Sequence, residues 1–398
     1  MGDILFLAHR IPFPPDRGDK IRSWHLLRHL ATLGRVHLAC FADDSTDAAH
    51  LAGLREALGD RLGDAHVEIR TRGKAAAGAR ALIAGKPVSL TLFDSPRLRA
   101  FVTGKLASVE TVFAFSGQMA QFVPADVCAR FVMDFGDVDS AKFAQYAEEG
   151  SGPMRWVNGR EGRKLFAFER ATAERADLSL FVSEAEASLF RAGTGLPNIR
   201  SLSNGIDVDH FDPAGSFPRL DVGKRPLILF TGQMDYAPNA DAVAWFARAV
   251  LPLVPSATFV VAGRSPLPSV RALAGERVIV TGAVADMRSW LAAADIVVAP
   301  LRLARGIQNK VLEAMAMARP VVASSAAFEG IEAVPGRDLL VADDAAATAD
   351  AINGLLAAPE RAAATGAAAR RQMEQAYRWE ARLAPLAEMV RPVSREAA

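Results

Sequence analysis

Short apolar runs and amphipathic stretches alternate along this chain. The run Ile4–Ala8 is continuously apolar and predicts a buried strand. Across Lys20–Leu33 the apolar residues recur at helical spacing, and Gly34 is well placed to end that helix. Val36–Phe41 predicts the next strand. The chain therefore opens with a strand–helix–strand unit, which is typical of a parallel sheet flanked by helices.

The same alternation continues almost to the C-terminus. Further strands are predicted at Val67–Ile69, Thr111–Phe115, Arg130–Met133, Leu178–Val182, Ile199–Leu202, Leu227–Thr231, Thr258–Ala262, Val278–Val280, Ile296–Ala299, Val321–Ala323 and Leu339–Val341. A long charged helix is predicted over Met154–Ala176. The segment Phe211–Pro218 is rich in Pro and Gly and lacks periodicity, which favours a domain boundary there.

The predicted architecture is α/β, with two doubly wound, Rossmann-like domains that face a cleft. We expect an N-terminal domain over 1–210, a C-terminal domain over 211–378, and a C-terminal helix over 379–398 that could pack back on the N-terminal domain. In such sheets ligands bind outside the carboxyl ends of the strands, so binding and catalytic residues are expected on the loops after the strands.

Composition narrows the classes of protein. The chain has 398 residues, is 51% hydrophobic and carries 46 basic against 45 acidic residues, which excludes a disordered chain and disfavours a nucleic-acid footprint. Cys40 and Cys128 lie far apart without metal-ligand spacing and are expected to be reduced thiols. There is no apolar window of transmembrane length and no basic leader, so we expect a cytoplasmic protein that could touch a membrane surface.

The loop between the first strand and the first helix carries charge at a helix N-terminus. Arg17, Lys20 and Arg22 flank Gly18, which allows close backbone approach. Free N–H groups at a helix start favour anions, so this loop is a candidate part of a phosphate or sugar site. The alternative is a stiff solvated loop with ordinary surface charges.

Three carboxylates follow the predicted strand Arg130–Met133. Asp134, Asp137 and Asp139 could bind acceptor hydroxyls, or one of them could act as a base. The alternative is that Asp137 or Asp139 caps the following helix while the others are solvated. A metal site is disfavoured because no His or Cys accompanies them.

The most informative segment is Leu301–Met317, which follows a strand and leads through Gly306 into an Ala- and Met-rich helix. Arg305 and Lys310 can add charge-assisted contacts to a diphosphate at that helix start. Glu313 is a lone carboxylate among apolar neighbours and suits a ribose diol. The alternative for Glu313 is a solvent-facing position on an amphipathic helix.

These residues resemble a known family. Gly306, Lys310 and Glu313–Ala316, followed by Pro320–Val322, look like the donor-site helix of family 4 glycosyltransferases, which are retaining enzymes of the GT-B fold. Further similar segments are Pro14–Arg22, Val182–Ser183 with Glu186, Asn204–Asp207 with Phe211, and Gly282–Val284. Met133–Ser140, Thr231–Asp241 and Ala304–Lys310 are similar to the sugar transferases that accompany exosortase (PEP-CTERM) systems and their exopolysaccharide clusters.

The sequence departs from the family pattern at three places. The family has two glutamates separated by seven residues, and here Glu313 is the second while Arg305 occupies the first position. The loop Gly232–Asn239 lacks the family's basic residues, so we expect Arg305, Lys310 and Arg264 to supply the cations. The family's histidine after an N-terminal strand is absent, and Asp134 stands at roughly that place.

The resemblance implies a retaining, hexosyltransferase-type enzyme that moves a sugar from a nucleotide-diphosphate donor, held by the C-terminal domain, to a lipid-linked or oligosaccharide acceptor, held by the N-terminal domain. It also implies a front-face mechanism without a required metal or cofactor. The predicted site residues are catalytic Asp134, Arg305 and Lys310; donor-binding Gly18, Arg264, Gly282, Val284, Gly306, Ile307 and Glu313; and acceptor-binding Arg17, Lys20 and Asp137.

Two other functions stay open: a nucleotide-sugar epimerase of the same fold, and a non-catalytic nucleotide-sugar-binding component of a polysaccharide assembly. A membrane contact is a further hypothesis, because basic and apolar residues crowd the long helix. They are Arg155, Arg160, Arg163, Lys164 and Arg170, with Met154, Trp156 and Phe166. The alternative is a solvated helix whose basic residues pair with Glu161, Glu169 and Glu174.

Overall fold

The structure is a computed structural model that describes residues 2–70, 73–218, 220, 222, 226–304 and 306–391. The described chain forms two compact units. The first contains the residues up to Ser203 together with those from Leu383 onward, and the second contains Asn204–Arg382. The chain thus changes unit at Ser203–Asn204, a few residues before the Pro- and Gly-rich segment where the sequence predicts a boundary.

The first unit is built on a seven-stranded sheet in the order β3-β2-β1-β4-β5-β6-β7. All its neighbouring strands pair in parallel. The strands are β1 Ile4–Ala8, β2 Val36–Ala42, β3 Leu62–Ile69, β4 Thr111–Phe115, β5 Arg130–Gly136, β6 Leu178–Phe181 and β7 Ile199–Ser201. Every residue of β1, β2 and β4 is buried, as expected where helices cover both faces of a parallel sheet.

Nine helices of the described chain connect these strands. They are α1 Gly18–Leu33, α2 Ser45–Ala49, α3 Leu51–Leu58, α4 Lys74–Ile83, α5 Val88–Leu92, α6 Pro96–Lys105, α7 Asp139–Glu149, α8 Gly152–Arg175 and α9 Glu184–Thr194. The periodic apolar residues of α1 face the core, where Trp24, Leu27 and Leu30 are buried.

The second unit repeats the plan with a six-stranded parallel sheet in the order β10-β9-β8-β11-β12-β13. Its strands are β8 Leu227–Thr231, β9 Thr258–Ala262, β10 Val278–Gly282, β11 Ile296–Ala299, β12 Val321–Ala323 and β13 Leu340–Val341. Its helices are α10 Ala237–Trp245, α11 Pro268–Arg271, α12 Met287–Ala293, α13 Asn309–Ala316, α14 Ser325–Phe328, α15 Ala345–Ala357 and α16 Pro359–Ala376. A short π-helical segment, Phe246–Val250, continues α10.

Two short helices end the described chain, α17 Trp379–Leu383 and α18 Leu386–Met389. The segment from Leu383 onward, which contains α18, belongs to the first unit. The Thr111 hydroxyl donates to the Val390 carbonyl at 2.9 Å, and the Arg130 Nε donates to the Met389 carbonyl at 2.7 Å. No helix among the described residues is both long and apolar enough to cross a bilayer.

The predicted α/β class with two doubly wound sheets is confirmed. Several predicted strands have the observed bounds, among them β4 and β8. The strand predicted at Arg130–Met133 is too short, because β5 continues through Asp134 to Gly136 and pairs there with β6. The sequence predicts too short a strand because Asp134 is polar, yet its buried carboxylate is stabilised by an ion pair with Arg22.

Gly34 ends α1, but for a different reason from the usual left-handed cap. Its φ of −167° is extended backbone that any residue adopts. A β-carbon at Gly34 would stand 2.6 Å from the Gly2 carbonyl oxygen, so the position is too close to backbone for a side chain. Glycine is required here by packing and not by backbone conformation.

Candidate functional site

Three adjacent strands of the second unit end in glycines that stack closely at the carboxyl edge of the sheet. Gly232, Gly263 and Gly282 follow or end β8, β9 and β10, and all three have positive φ, at 152°, 151° and 71°. The Gly232 N–H donates to Ala262 at 3.1 Å, and the Gly263 N–H donates to Gly282 at 3.1 Å. A β-carbon on Gly263 would lie 1.7 Å from the Gly232 carbonyl oxygen. The edge is thus formed by bare backbone.

Lys310 places its ammonium group at this glycine edge. It lies near the start of α13, and its Nζ donates to the Asn239 Oδ1 at 2.5 Å. The same Nζ is 3.2 Å from where a β-carbon on Gly232 would stand, and 4.3 Å from the centre of the Phe230 ring. The loop after β8 has no basic residue of its own, so a lysine from another element supplies the cation there.

Asn239 holds this arrangement together. Its side-chain amide donates to the Gln233 carbonyl at 2.8 Å, which fixes the loop after β8, while its Oδ1 accepts from Lys310. The sequence analysis missed Asn239, because an asparagine in a helical first turn carries no signal of a contact with a lysine 71 residues away. Its position within the recognised segment Thr231–Asp241 was the available signal.

Glu313 lies one helical turn beyond Lys310 and is half-buried. Burial raises the pKa of its carboxyl and lowers the pKa of the Lys310 ammonium, and in each case the opposite charge of the other residue works against the shift. Burial therefore disfavours charge on both residues, and an anion bound at Lys310 would restore its proton. Glu313 is thus partly exposed, and its contact with a ribose stays a prediction.

Of the other predicted donor-binding residues, those of the second unit lie on the loops around this edge, whereas Gly18 belongs to the first unit. Gly306, with a φ of 66°, and the buried Ile307 lead into α13, and no described side chain caps that helix. Arg264 directly follows Gly263 and is half-buried, while Val284 follows β10. Arg305 lies outside the described residues. The glycine edge and the start of α13 are thus neighbours, through Lys310.

In the first unit the predicted cations are already engaged. Arg17 precedes α1 and its guanidinium is 3.0 Å from Asp43. Lys20 is buried and its Nζ lies 2.6 Å from Asp47. Gly18 is the first residue of α1 and is exposed. The loop is therefore not a solvated run of independent surface charges, and its cations meet carboxylates of the same unit.

Asp134 is fully buried inside β5 and forms an ion pair with Arg22. Its Oδ2 accepts from the Arg22 Nε at 3.1 Å and Nη2 at 2.8 Å, and its Oδ1 accepts from the Gly136 N–H at 2.9 Å. The expectation that Asp134 follows the strand is wrong. Both carboxylate oxygens have hydrogen-bond partners, and Asp134 binds Arg22 in this structure. The catalytic role of Asp134 stays a prediction.

A cluster of four carboxylates surrounds the start of α7: Asp137, Asp139, Glu169 and Glu186. The capping alternative for Asp137 and Asp139 is wrong, since the N-cap is Val138 and no side chain bonds there as a cap. The amides of the helix start donate instead to carboxylates from other helices. The Val138 N–H donates to Glu186 at 2.6 Å, and the Ser140 N–H donates to Glu169 at 3.1 Å.

Burial gives this cluster unusual acidities. It raises the pKa of Asp137 to about 6, with the neighbouring Glu186 and Asp139 charges adding to the shift. It raises the pKa of Glu169 to about 8, partly opposed by the hydrogen bonds from Ser140. One oxygen of each, Asp137 Oδ1 and Glu169 Oε2, is buried without a hydrogen-bond partner among the described residues. Sequence reasoning missed Glu169, which reads as an ordinary residue of a charged helix.

The geometry of the second unit agrees with comparisons to known proteins. Residues 225–358 match the family described as glycosyl transferases group 1. This match contains β8–β12, Asn239, Lys310 and Glu313, the elements that build the glycine edge. Over these residues the second unit is therefore similar in sequence to that family.

The chain is 28% identical over 244 residues to the GDP-mannose-dependent alpha-(1-6)-phosphatidylinositol monomannoside mannosyltransferase of Mycobacterium tuberculosis. That alignment covers 56% of this chain and 63% of the relative, so the chain spans less than two thirds of the curated relatives it matches. The enzyme of the same name from Mycolicibacterium smegmatis is equally similar, at 28% identity over 244 residues, with 56% of this chain and 64% of the relative covered.

Solved structures match over almost the whole chain. Sucrose-phosphate synthase from Thermosynechococcus elongatus has a TM-score of 0.70 at 17% identity, with 98% of each chain covered. Anabaena Alr3699/HepE in complex with UDP-glucose has a TM-score of 0.68 at 16% identity, covering 98% of this chain and 99% of that one. At these identities the likeness establishes the fold, and the chain has the two-domain α/β fold of GT-B glycosyltransferases.

Proposed function

We propose that this chain is a retaining glycosyltransferase that moves a sugar from a nucleotide-diphosphate donor to a lipid-linked or oligosaccharide acceptor, without a required metal. The proposal includes a cytoplasmic location and a role in exopolysaccharide biosynthesis, which rests on the resemblance to the exosortase-associated transferases. The second unit binds the donor and the first unit binds the acceptor. Peripheral membrane contact is a separate proposal that rests on other residues.

The observation that carries the proposal is the position of Lys310. Its ammonium stands at an edge of bare glycine backbone, hydrogen-bonded to a neutral amide, Asn239. The start of α13 adds backbone N–H groups, which favour anions. A diphosphate is the anion of matching chemistry, because it has oxygens for both the ammonium and the amides.

Such a site stabilises the leaving group. As the glycosidic bond breaks, negative charge grows on the diphosphate oxygen that leaves. A preorganised cation at that oxygen lowers the barrier by about 3 kcal/mol. In the front-face mechanism that the resemblance implies, a donor phosphate oxygen accepts the proton of the acceptor hydroxyl, so a protein base is optional.

Glu313 binds the donor ribose in this proposal. It is half-buried and one turn from Lys310, so a diphosphate on Lys310 would bring its ribose within reach. Two carboxylate oxygens can accept from both hydroxyls of a ribose diol. Gly282 and Val284 lie on the loop that the family resemblance assigns to the nucleobase.

In the first unit the acceptor role is proposed for Arg17, Lys20 and Asp137. Asp137 differs from Asp134 because one of its oxygens lacks a hydrogen-bond partner among the described residues. With a pKa of about 6 its carboxyl is mostly ionised at neutral pH, so a small rearrangement would let it accept from a sugar hydroxyl.

Arg305 is proposed to grip either a donor phosphate or a carboxylated donor sugar such as a uronic acid, because its guanidinium is donor-only and fork-shaped. Arg305→Lys and Arg305→Glu separate the two roles. A phosphate role weakens binding of the bare nucleoside diphosphate in both variants. A uronate role weakens binding of the complete donor alone, and wild-type affinity and rate in both variants exclude Arg305 from the site.

The first experiment is calorimetric titration of the full chain with GDP, UDP, GDP-mannose and UDP-glucose, followed by transfer assays with and without a chelator. The donors are chosen from the names of the relatives. We expect binding of one bare nucleotide and chelator-resistant transfer with retained anomeric configuration. Binding without transfer to lipid-linked or saccharide acceptors would favour a non-catalytic component, and acceptor-independent isomerisation would favour an epimerase. If the chain binds none of these four nucleotides, the proposal is rejected.

A further inference from the structure

Exposed apolar side chains gather at the end of α4 and the start of α8 in the first unit. The relevant side chains, with their exposed fractions, are Leu82 (55%), Ile83 (90%), Met154 (60%), Trp156 (60%) and Val157 (37%). Large apolar side chains this exposed and this close along two segments form a patch that a soluble partner or a membrane would cover.

Hydrogen bonds bring the two segments together. The Arg160 guanidinium of α8 donates to the carbonyls of Ala81 at 3.0 Å and Lys86 at 3.2 Å, which flank the turn after α4. The Glu161 carboxylate accepts from the first two amides of α5, at 2.9 and 3.2 Å. Val157 lies one turn before Glu161 on the same face of α8. Because Glu161 contacts the start of α5, Val157 lies next to the α4–α5 turn.

The charge around this patch is positive. Arg155, Arg163 and Lys164 are exposed on the same stretch of α8. Between residues 152 and 164, Glu161 is the single acidic residue, and it is buried under the start of α5. Glu161 pairs with Arg160 at 4.0 Å, and among the described residues no glutamate of α8 pairs with Arg155, Arg163 or Lys164.

A cavity of about 400 Å³ opens beside the patch, between α7 and α8. Arg155, Trp156 and Arg163 line it on the α8 side, and Glu148 of α7 is the carboxylate that faces them. Two guanidiniums outweigh one carboxylate, and a tryptophan forms part of the wall. This combination suits a phosphate-bearing headgroup whose acyl chains lie beside the indole ring.

We infer that the end of α4 and residues 152–164 of α8 form a docking surface for an anionic lipid membrane, with the cavity between α7 and α8 as its headgroup site. The apolar side chains enter the interface and the basic ones meet the lipid phosphates.

The surface is smaller than the one the sequence predicts. Arg160 bonds inward to the α4–α5 turn, Phe166 packs against Phe190, and Arg170 pairs with Glu174 at 2.9 Å. These residues of α8 are therefore not part of the docking surface. The inference is independent of the nucleotide site, which belongs to the other unit.

The test is co-sedimentation of the full chain with vesicles of phosphatidylcholine alone and of phosphatidylcholine mixed with phosphatidylglycerol. We expect binding to the mixed vesicles at low salt. Each basic residue at a membrane surface contributes about fivefold to partitioning, so Arg155→Glu/Arg163→Glu should lower it by at least about 25-fold. Trp156 emission should shift to shorter wavelength on binding, and the shift should vanish in Trp156→Phe.

The matched control is Arg55→Glu/Arg97→Glu, which changes net charge equally at exposed residues of α3 and α6. It should bind vesicles much better than Arg155→Glu/Arg163→Glu. Equal loss in both double variants would show attraction by net charge alone and would overturn the docking surface. Wild-type binding no stronger to mixed vesicles than to phosphatidylcholine would also overturn it and would favour a protein partner. Bare-nucleotide affinity, unchanged in all variants, separates these outcomes from failure of the proposed function.

Discussion

The two units place cations at the carboxyl edges of their sheets in opposite ways. In the first unit, Arg17, Lys20 and Arg22 each meet a carboxylate of the same unit. In the second unit, Lys310 meets a neutral amide, an aromatic ring and glycine backbone, while Glu313 interacts with it only through space.

This difference matters for function. A cation that is already paired must give up its carboxylate before it binds a phosphate, whereas Lys310 exchanges a neutral partner for a charged one. An ammonium attracts an anion more strongly than it attracts a neutral amide, so Lys310 gains from a bound phosphate, whereas Lys20 exchanges one anion for another. A helix N-terminus with basic residues is thus weak evidence for phosphate binding until their partners are known.

The largest expected effect comes from breaking the most buried pair of the first unit. Arg22→Met leaves Asp134 without its counter-charge and should lower the free energy of unfolding by about 3–5 kcal/mol. Denaturant unfolding of the full chain measures it. The double variant Arg22→Met/Asp134→Leu should recover much of the loss, because no lone buried charge remains. As a control, Arg17→Met removes a half-exposed pair and should cost about 1 kcal/mol or less. Equal losses in Arg22→Met and Arg17→Met would contradict this view of the first unit.

The next effect belongs to the second unit. Lys310→Met removes the proposed leaving-group cation. It should raise the activation barrier of transfer by about 3 kcal/mol, which lowers the transfer rate roughly a hundredfold or more. Its stability should not fall, because methionine replaces a buried ammonium whose charged state is disfavoured. Lys20→Met is the matched control, expected to lose stability while keeping nucleotide affinity. If Lys310→Met transfers sugar at the wild-type rate, Lys310 is not the leaving-group cation, and the contrast with the paired cations of the first unit has no functional meaning.

Glu313→Gln tests the ribose contact. The amide keeps the size of the carboxylate but weakens charge-assisted acceptance, so donor affinity should fall by about 1.5–3 kcal/mol. Calorimetry with the donor and with the bare nucleotide measures the loss, which should be similar for both because both carry the ribose. Donor affinity that stays unchanged in a folded variant excludes Glu313 from this role.

The smallest effect, counted per pH unit, is a pH dependence of the stability of the first unit. Folding raises the pKa of Glu169 from an ordinary 4.5 to about 8, so between these values the folded state binds more protons than the unfolded state. Stability from this residue therefore falls as pH rises through the window, by at most about 1.4 kcal/mol per pH unit. Unfolding at two pH values in the window should give a weaker dependence in Glu169→Gln. Identical slopes in variant and wild type would contradict it.

The sequence predicted elements best where apolar runs alone define them, as in β4, β8, β9 and β11. The predictions were wrong where tertiary contacts determine the end of an element or the identity of a residue. The end of β5 is polar because Arg22 arrives from α1 to pair with Asp134. Gly34 is a glycine because another segment's backbone passes beside it. Neither contact leaves a local trace in the sequence.

The residues of the candidate site likewise fall into a group that the sequence predicts and a group that depends on tertiary contacts. Lys310 and Glu313 were predictable because their spacing on one helix is a local property, and a family resemblance supports them. Asn239 and Glu169 were not, because each acts on an element far along the chain, at Lys310 and at the Ser140 amide. Likewise, the partners of Arg17 and Lys20 follow from the way β2 and α2 pack beside α1, which residue types alone do not define.

The return of the chain to its first unit has a consequence for biosynthesis. A ribosome releases everything up to Ser203 before any of the second unit, yet the segment that packs on β4 and β5, through Val390 and Met389, is made only after the second unit. Because domains fold as they emerge, the first unit must wait with Thr111 and Arg130 lacking these partners while the whole second unit is translated. A stalled or prematurely ended chain would then carry a finished second unit and an unfinished first one.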